Sequence, residues 1–209
     1  MALPRFHRLP EERRRRLIAS AAEEFASRGF KGAALSAIAE KSGMGKASVY
    51  YYFADKADLY ATVLEEAWAR LRSETRLELE ALDAKNFWPE LERVTRMNLE
   101  LCRQEPWLLD AALLLNRASP DPANEAVLDE YLERRQEWEA VFIARGQELG
   151  AVRSDVPTDL LASMSLSVRQ SSNLWILERA KELSADECDT MALQVFGIYR
   201  GILSPPTRV

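Results

Sequence analysis

The residues with the clearest capacity for chemistry lie in one short segment, between Ser36 and Lys56. The segment contains Lys46, Lys56 and three consecutive tyrosines at residues 50–52. Ammonium and hydroxyl groups can donate hydrogen bonds to phosphate oxygens and to the edges of bases. Because adjacent helical residues point about 100° apart, the three tyrosines cannot all be buried. At least one aromatic hydroxyl must therefore face solvent or a phosphate.

A helix-turn-helix pattern would position these side chains. A short helix is predicted at about residues 35–41, a tight turn at residues 42–45 with two glycines, and a second short helix at residues 46–53. In this motif the second helix enters the major groove of DNA and presents its first residues to the base edges. In this chain those first residues are Lys46, Ala47 and Ser48.

The rest of the chain predicts an all-α fold of about nine helices. A first helix over about residues 10–27 has an apolar face and stops at Gly29, which suits a left-handed helix cap. Asp55 is placed to cap the fourth helix. The helices predicted beyond the motif cover about residues 56–82, 88–104, 107–117, 122–149, 157–181 and 184–203.

Residues 16–59 resemble the DNA-binding domain of the TetR family of transcriptional regulators, and the resemblance extends over about residues 11–71. The shared features are an alanine-rich first helix, a glycine–aromatic stop, and the exit pattern Tyr-x-Tyr-Phe-x-x-Lys-x-x-Leu that starts at Tyr50. The resemblance implies a DNA-binding domain at residues 10–56, with its motif at about 34–53. It also implies a ligand-binding and dimerisation domain at residues 57–209.

The resemblance further implies which residues contact operator DNA. Gly45 and Ala33-Ala34 stand where the family usually has serine and threonine, so we expect affinity to depend more on Arg13–Arg16 and on Lys46. Groove, rim or phosphate contacts are predicted for Ser36, Lys46, Ala47, Ser48, Tyr50, Tyr51 and Lys56.

The last two predicted helices are apolar on two faces. Residues 160–177 contain a single charged residue, Arg169. A helix that is apolar on two faces is buried on two sides, so a second subunit or the interior of one subunit must cover the outer face. The resemblance favours a homodimer. The predicted interface residues are Leu161, Met164, Val168, Trp175, Met191, Val195, Ile198 and Ile202.

The resemblance also implies a small-molecule effector, which we expect to be largely apolar and to release a repressor from a pseudo-palindromic operator. All five tryptophans lie in residues 61–209, where aromatic side chains serve equally as core. Polar groups in an apolar stretch, such as Arg169 and Asn173, must find partners. Candidate ligand contacts are Trp68, Met97, Trp107, Asn116, Arg117, Trp138, Phe142, Arg169, Gln170 and Asn173.

Other kinds of site find little support. The single histidine, His7, is expected in a flexible arm, so neither a Ser–His pair nor a zinc site can be assembled, and we predict no enzyme, cofactor or metal. Residues 43–46 are not a phosphate-binding P-loop, because Glu40 and Ala47 occupy positions that this loop needs as glycine and Ser/Thr. Cys102 and Cys188 are expected to be unpaired.

The charge distribution would orient an encounter with a polyanion. Residues 1–60 contain 11 basic and 7 acidic residues, a net +4, whereas residues 61–209 contain 17 basic and 26 acidic residues, a net -9. No apolar run approaches the ~20 residues of a membrane span, and we expect a cytoplasmic protein. The alternative is an all-helical interaction protein that does not bind DNA.

Overall fold

The chain is all-helical throughout the part that the computed structural model describes, residues 3–116, 125–179 and 182–206. These ranges contain nine α-helices and two short 3-10 helices, Phe6–Arg8 and Leu79–Ala81. The predicted fold class is confirmed. The α-helices are α1 Glu11–Gly32, α2 Leu35–Lys41, α3 Lys46–Tyr52, α4 Lys56–Thr75, α5 Phe87–Gln104, α6 Trp107–Asn116, α7 Glu125–Glu148, α8 Thr158–Arg179 and α9 Ala185–Leu203.

The chain forms two compact units that do not follow a single cut in the sequence. The first unit combines Met1–Leu71 with Leu101–Glu130, and the second combines Arg72–Glu100 with Tyr131–Val209. The domain boundary after residue 56 stays a prediction.

The core of the first unit is built around the apolar face of α1. The side chains predicted for that face are buried, and α1 packs against both α2 and α6. Gly29 adopts a φ of +68°, as its predicted cap role requires, but one further helical turn follows it. Fully buried members of this core include Leu17, Phe25, Ile38, Val49 and Leu59.

The N-terminal segment was expected to be a flexible arm, and the structure shows it docked instead. The Phe6 side chain is completely buried, and its ring centroid lies 5.1 Å from that of Phe53. Leu9 is also buried, and the amide of Leu3 donates a hydrogen bond to the carbonyl of Tyr52 over 3.1 Å. Burial of these two large apolar side chains, together with the hydrogen bond to Tyr52, stabilises the docked segment and offsets part of the entropic cost of ordering it.

The fourth helix ends earlier than predicted, at Thr75 rather than near Leu82. Arg76 takes a positive φ of 41°, and the chain continues through a short 3-10 helix. Leu77 and Leu79 then pack against the core of the second unit, and Leu82 is buried in that core. This packing overrides the helical preference of a segment without glycine or proline.

Aromatic rings form the centre of the second unit. Phe142 stacks between Phe87 and Trp138, with centroid distances of 4.8 Å and 5.6 Å. A side chain at Gly146 would place a Cβ atom 2.7 Å from the Phe87 ring, so only glycine allows α7 to pass this close. The indole nitrogen of Trp88 donates to the carbonyl of Ala151 at 3.1 Å, which satisfies a polar atom inside the core.

Candidate nucleic-acid interface

The turn between α2 and α3 is fixed by local hydrogen bonds. Gly43 adopts a φ of +69°, a conformation that glycine takes without steric cost. The amide of Met44 donates to the carbonyl of Ala39 at 2.8 Å, and the buried Ser42 hydroxyl donates to the same carbonyl at 3.0 Å. Val49 is completely buried and anchors α3, which leaves the opposite sides of this helix exposed.

Four of the seven predicted DNA-contacting residues come together in one open depression. Two cationic side chains, Lys46 and Lys56, line it together with the hydroxyl-bearing Ser36 and Tyr50. Lys46 is exposed and makes no ion pair with any described residue. The complete lining is Ala33, Leu35, Ser36, Lys46, Tyr50, Ala54, Asp55 and Lys56.

The other three predicted contacts lie on the adjoining side of α3. Ala47 is exposed and Ser48 is half-buried. Tyr50 and Tyr51 remain 51% and 53% exposed, whereas Tyr52 is half-buried. The expectation that the three tyrosines cannot all be buried is confirmed. The DNA-contact roles of these residues stay predictions.

Lys56 has a structural task in addition to its predicted phosphate contact. Its ammonium nitrogen donates to the carbonyls of Lys31 and Ala33, each at 3.2 Å, and lies 4.8 Å from the centroid of the Phe30 ring. It thereby ties the end of α1 to the start of α4. Since an ammonium group has three N–H bonds, one remains for a phosphate oxygen.

The start of α4 is capped as predicted. A carboxylate oxygen of Asp55 accepts a hydrogen bond from the amide of Asp58 at 2.8 Å, and the Asp58 carboxylate accepts one from the amide of Ala54 at 3.0 Å. Such reciprocal capping stabilises a helix end by about 1 kcal/mol. It fixes the backbone that carries Lys56.

A buried carboxylate holds the backbone at the start of α2, where a capping hydroxyl is missing. Ala34 offers no side-chain cap, but its amide lies 3.4 Å from a carboxylate oxygen of Glu24, which is only 2% exposed. Glu24 also pairs with Arg28 at 3.3 Å and with Lys41 at 3.6 Å. Sequence reasoning missed Glu24, although an acidic residue inside the apolar face of a helix was the available signal.

Several basic side chains of the first unit are already paired. Arg16, at the end of the predicted arginine run, lies 2.9 Å from Glu12. The hydrogen bond from Lys41 to Glu23, at 3.0 Å, raises the pKa of Lys41 above its ordinary value. Lys46, in contrast, lines the depression without such an acidic partner among the described residues.

The candidate ligand contacts are divided between the two units. In the first unit Trp68 and Trp107 are half-buried, and Trp107 donates its indole hydrogen to Glu105 at 3.0 Å. In the second unit Phe142 is core, Met97, Trp138 and Gln170 are half-buried, and Asn173 is exposed. The side chain of Asn116 and all of Arg117 lie outside the described residues.

Arg169 finds its partner inside the second unit. Its guanidinium lies 2.7 Å from one carboxylate oxygen of Glu139, which is completely buried. The other carboxylate oxygen accepts hydrogen bonds from the hydroxyls of Ser165 and Tyr199, the latter at 3.1 Å. Burial, followed by the nearby charge of Glu139, raises the pKa of Tyr199 well above its usual range. Glu139 could not be singled out from the sequence, because α7 carries many acidic residues.

The predicted interface residues do not all lie on the surface. Met164, Trp175 and Ile198 are 43%, 42% and 62% exposed, and Leu160 beside them is also exposed. Val168, Met191, Val195 and Ile202 are half-buried. Leu161 is only 1% exposed, because it points into the core of its own unit, so it cannot contact a second subunit. The remaining seven residues stay predicted interface contacts.

Two short helices joined by a four-residue turn, with cationic and hydroxyl side chains on the exposed sides of the second, define a helix-turn-helix DNA-binding domain. Residues 17–63 match the family described as bacterial regulatory proteins, tetR family. These residues form a TetR-family DNA-binding domain, and the chain is a DNA-binding transcriptional regulator.

Relatives that regulate transcription match the chain over different lengths. The transcriptional repressor AcnR of Corynebacterium efficiens is 26% identical over 152 residues, 73% of this chain and 75% of its own. The transcriptional activator FasR of Mycolicibacterium smegmatis is 40% identical, but over only 62 residues, 29% of this chain and 28% of its own.

Solved structures share the fold. FadR of Bacillus subtilis, in complex with stearoyl-CoA, superposes with a TM-score of 0.72 at 16% identity, covering 90% of this chain and 98% of its own. Among the described residues no helix is both long and apolar enough to span a bilayer, and no cluster of metal-ligating side chains occurs.

Proposed function

We propose that the chain is a homodimeric repressor that binds a pseudo-palindromic operator through α3 of each subunit and leaves it when a small, largely apolar effector binds. The observation that carries the proposal is the open depression in which Ser36, Lys46, Tyr50 and Lys56 converge beside α3. Two cations and two hydroxyls on one concave surface suit a DNA backbone with an adjoining groove.

The proposed dimer rests on the outer face of α8 and α9. Large apolar side chains, among them Met164, Trp175 and Ile198, are exposed there on two helices that pack against each other. An exposed apolar patch of this kind is typical of a protein interface. A two-fold dimer would present two copies of α3, and operator half-sites about 34–36 Å apart, one turn of DNA, would match them.

Repression, rather than activation, is supported by the longer of the two sequence similarities. AcnR, named a repressor, resembles this chain over 152 residues, whereas FasR, named an activator, resembles it over only 62. The B. subtilis FadR structure holds stearoyl-CoA, which makes a long acyl thioester the first effector to test.

The effector acts, in this proposal, through a difference in affinity between two conformations. A ligand shifts an equilibrium only by its differential affinity for the two states, and ~1–3 kcal/mol gives a 5–150-fold change in operator binding. By linkage, operator DNA must weaken effector binding by the same factor. Tryptophan emission offers the readout, since all five tryptophans lie beyond residue 60.

A fluorescence anisotropy titration of a labelled mixed-sequence duplex at several salt concentrations tests the proposal. We expect binding whose logarithm falls linearly with the logarithm of salt concentration, and weaker binding when stearoyl-CoA or another effector is present. A full-length protein that binds no duplex even at low salt would support the all-helical interaction protein instead. Tighter operator binding with effector would overturn the release step and indicate a corepressor.

A further inference from the structure

The docked N-terminal segment places a cation that the helix-turn-helix motif does not include. The guanidinium of Arg5 lies 4.2 Å from the centroid of the Tyr51 ring, on the exposed side of α3. Nε of Arg5 is buried and has no hydrogen-bond partner in the described chain. No described acidic residue pairs with Arg5, so the stacking on Tyr51 and the docked segment hold it in place.

The position of Tyr51 decides which part of the DNA this cation would meet. Residues four apart on a helix share a side, so Tyr51 lies above Ala47, whereas Tyr50 lies above Lys46. Lys46 and Tyr50 line the depression, and Tyr51 with Arg5 occupies the adjoining side. The major groove is about 12 Å wide and a helix with side chains is about 10–12 Å across, so a sugar-phosphate strand flanks each side of an inserted helix.

We propose that Arg5, held against Tyr51 by the docked segment, contacts a DNA phosphate on a different side of α3 from Lys46 and Lys56. The inference rests on the proposed function and extends it to a residue outside the motif. A guanidinium that lies over an aromatic ring keeps the N–H bonds of its two Nη atoms free for a phosphate oxygen, even where Nε is buried. Tyr51 is then a positioning residue for Arg5.

The contacts of the docked segment hold the backbone of Arg5 in one position. Phe6, next to Arg5, is completely buried against Phe53, and the Leu3 amide is bound to the carbonyl of Tyr52 at the end of α3. Leu3 and Phe6 thus hold the backbone on either side of Arg5. Less conformational entropy is lost on DNA binding when the cation is already held in place.

The test compares Arg5→Ala with Arg8→Ala in the full chain, using anisotropy of a mixed-sequence duplex over a range of salt concentrations. Arg8 lies in the same segment and is exposed, so its substitution removes the same charge without touching Tyr51. We expect Arg5→Ala to weaken binding about three- to tenfold and to lower the log–log salt slope by about 0.9, and Arg8→Ala to leave both nearly unchanged. Arg5→Lys should keep the slope and lose part of the affinity.

A double-substitution cycle isolates the role of Tyr51. In a Tyr51→Ala background the effect of Arg5→Ala should shrink to less than about twofold, because Arg5 has lost its platform. Equal slope losses for Arg5→Ala and Arg8→Ala, or a wild-type slope for Arg5→Ala, would overturn the inference. Thermal melts of each variant show that the fold is kept. Failure of the wild-type chain to bind any duplex would be a different result, and would overturn the proposed function itself.

Discussion

The helices α3 and α8 expose different kinds of side chain. On α3 the apolar Val49 is buried, while Lys46, Tyr50 and Tyr51 face outward. On α8 the apolar Leu161 and the polar Ser165 are both buried, whereas Met164 is 43% exposed. The exposed side of α3 suits a polar, anionic partner, and the exposed apolar side chains of α8 suit an apolar one.

The polar groups of the two helices also differ in their hydrogen-bond partners. Those of α3 leave donors open to a ligand, so their substitution should change binding with little effect on stability. Ser165 and Arg169 of α8 are bound to the buried carboxylate of Glu139, so their network should affect stability first. A buried polar group without a partner is costly, whereas an exposed one is not.

The largest effect is expected from Glu139→Ala, which removes the shared acceptor of this network. The hydroxyls of Ser165 and Tyr199 and the guanidinium of Arg169 would lose their partner inside the second unit. We expect a loss of about 3–5 kcal/mol in the free energy of unfolding, measured by urea denaturation. The matched control is Glu137→Ala, an exposed acidic residue on the same helix, with an expected change below about 0.5 kcal/mol. Similar losses for both variants would contradict a special role for Glu139.

The next effect concerns the outer face of α8 and α9. Ile198→Asp would place a carboxylate in each half of the proposed interface, at a residue that is 62% exposed in one subunit. We expect the dimer dissociation constant to rise about a hundredfold or more, because each interface charge must be desolvated. Sedimentation at micromolar concentration measures the change. Gln136→Asp, exposed on α7, is the control, and an unchanged dimer in Ile198→Asp would show that this face is not the interface.

A smaller effect is expected at the start of α3. Lys46→Ala should weaken binding to every duplex about tenfold and lower the salt slope by about one unit, because one phosphate contact is lost. Anisotropy titrations measure both quantities, and the melting temperature should not change. A wild-type salt slope in the variant would contradict the phosphate contact. Lys85→Ala, an exposed lysine of the second unit, serves as the control.

The smallest and most specific effect is expected from Ser48→Ala. A bidentate side-chain–base pair contributes about 1–3 kcal/mol of discrimination, so the single hydroxyl of Ser48 should contribute about 1 kcal/mol or less at one base pair and little to overall affinity. Competition with operators substituted at each position should show relaxed preference at one base pair in each half-site. If preference is unchanged at all positions, Ser48 does not read a base.

The helix-turn-helix could be predicted from the sequence because its signals are local. The glycines at residues 43 and 45 delimit α2 and α3, and the apolar residues of each short helix recur at helical spacing. The early end of α4 could not be predicted, since Leu77 and Leu79 leave the helix to pack on side chains distant in sequence. The same holds for Glu139, whose partners Ser165 and Tyr199 lie 26 and 60 residues away.

The N-terminal segment shows a third reason for a wrong expectation. Its basic composition is typical of a flexible arm, but Phe6 and Leu9 supply enough apolar area to dock it. The two large apolar residues before Pro10 indicate that the segment can be buried, but not where. Its docking site is formed by Phe53 and the end of α3, which the sequence of the segment alone could not reveal.

The central claim, that the exposed sides of α3 read DNA sequence, is tested most directly by selection of duplexes from a random pool with the full-length protein. We predict that one motif with two inverted half-sites becomes enriched, and that the combined variant Lys46→Ala, Ser48→Ala loses this enrichment while it remains folded. Enrichment of the same motif by the variant, or of no motif by the wild-type chain, would contradict the claim.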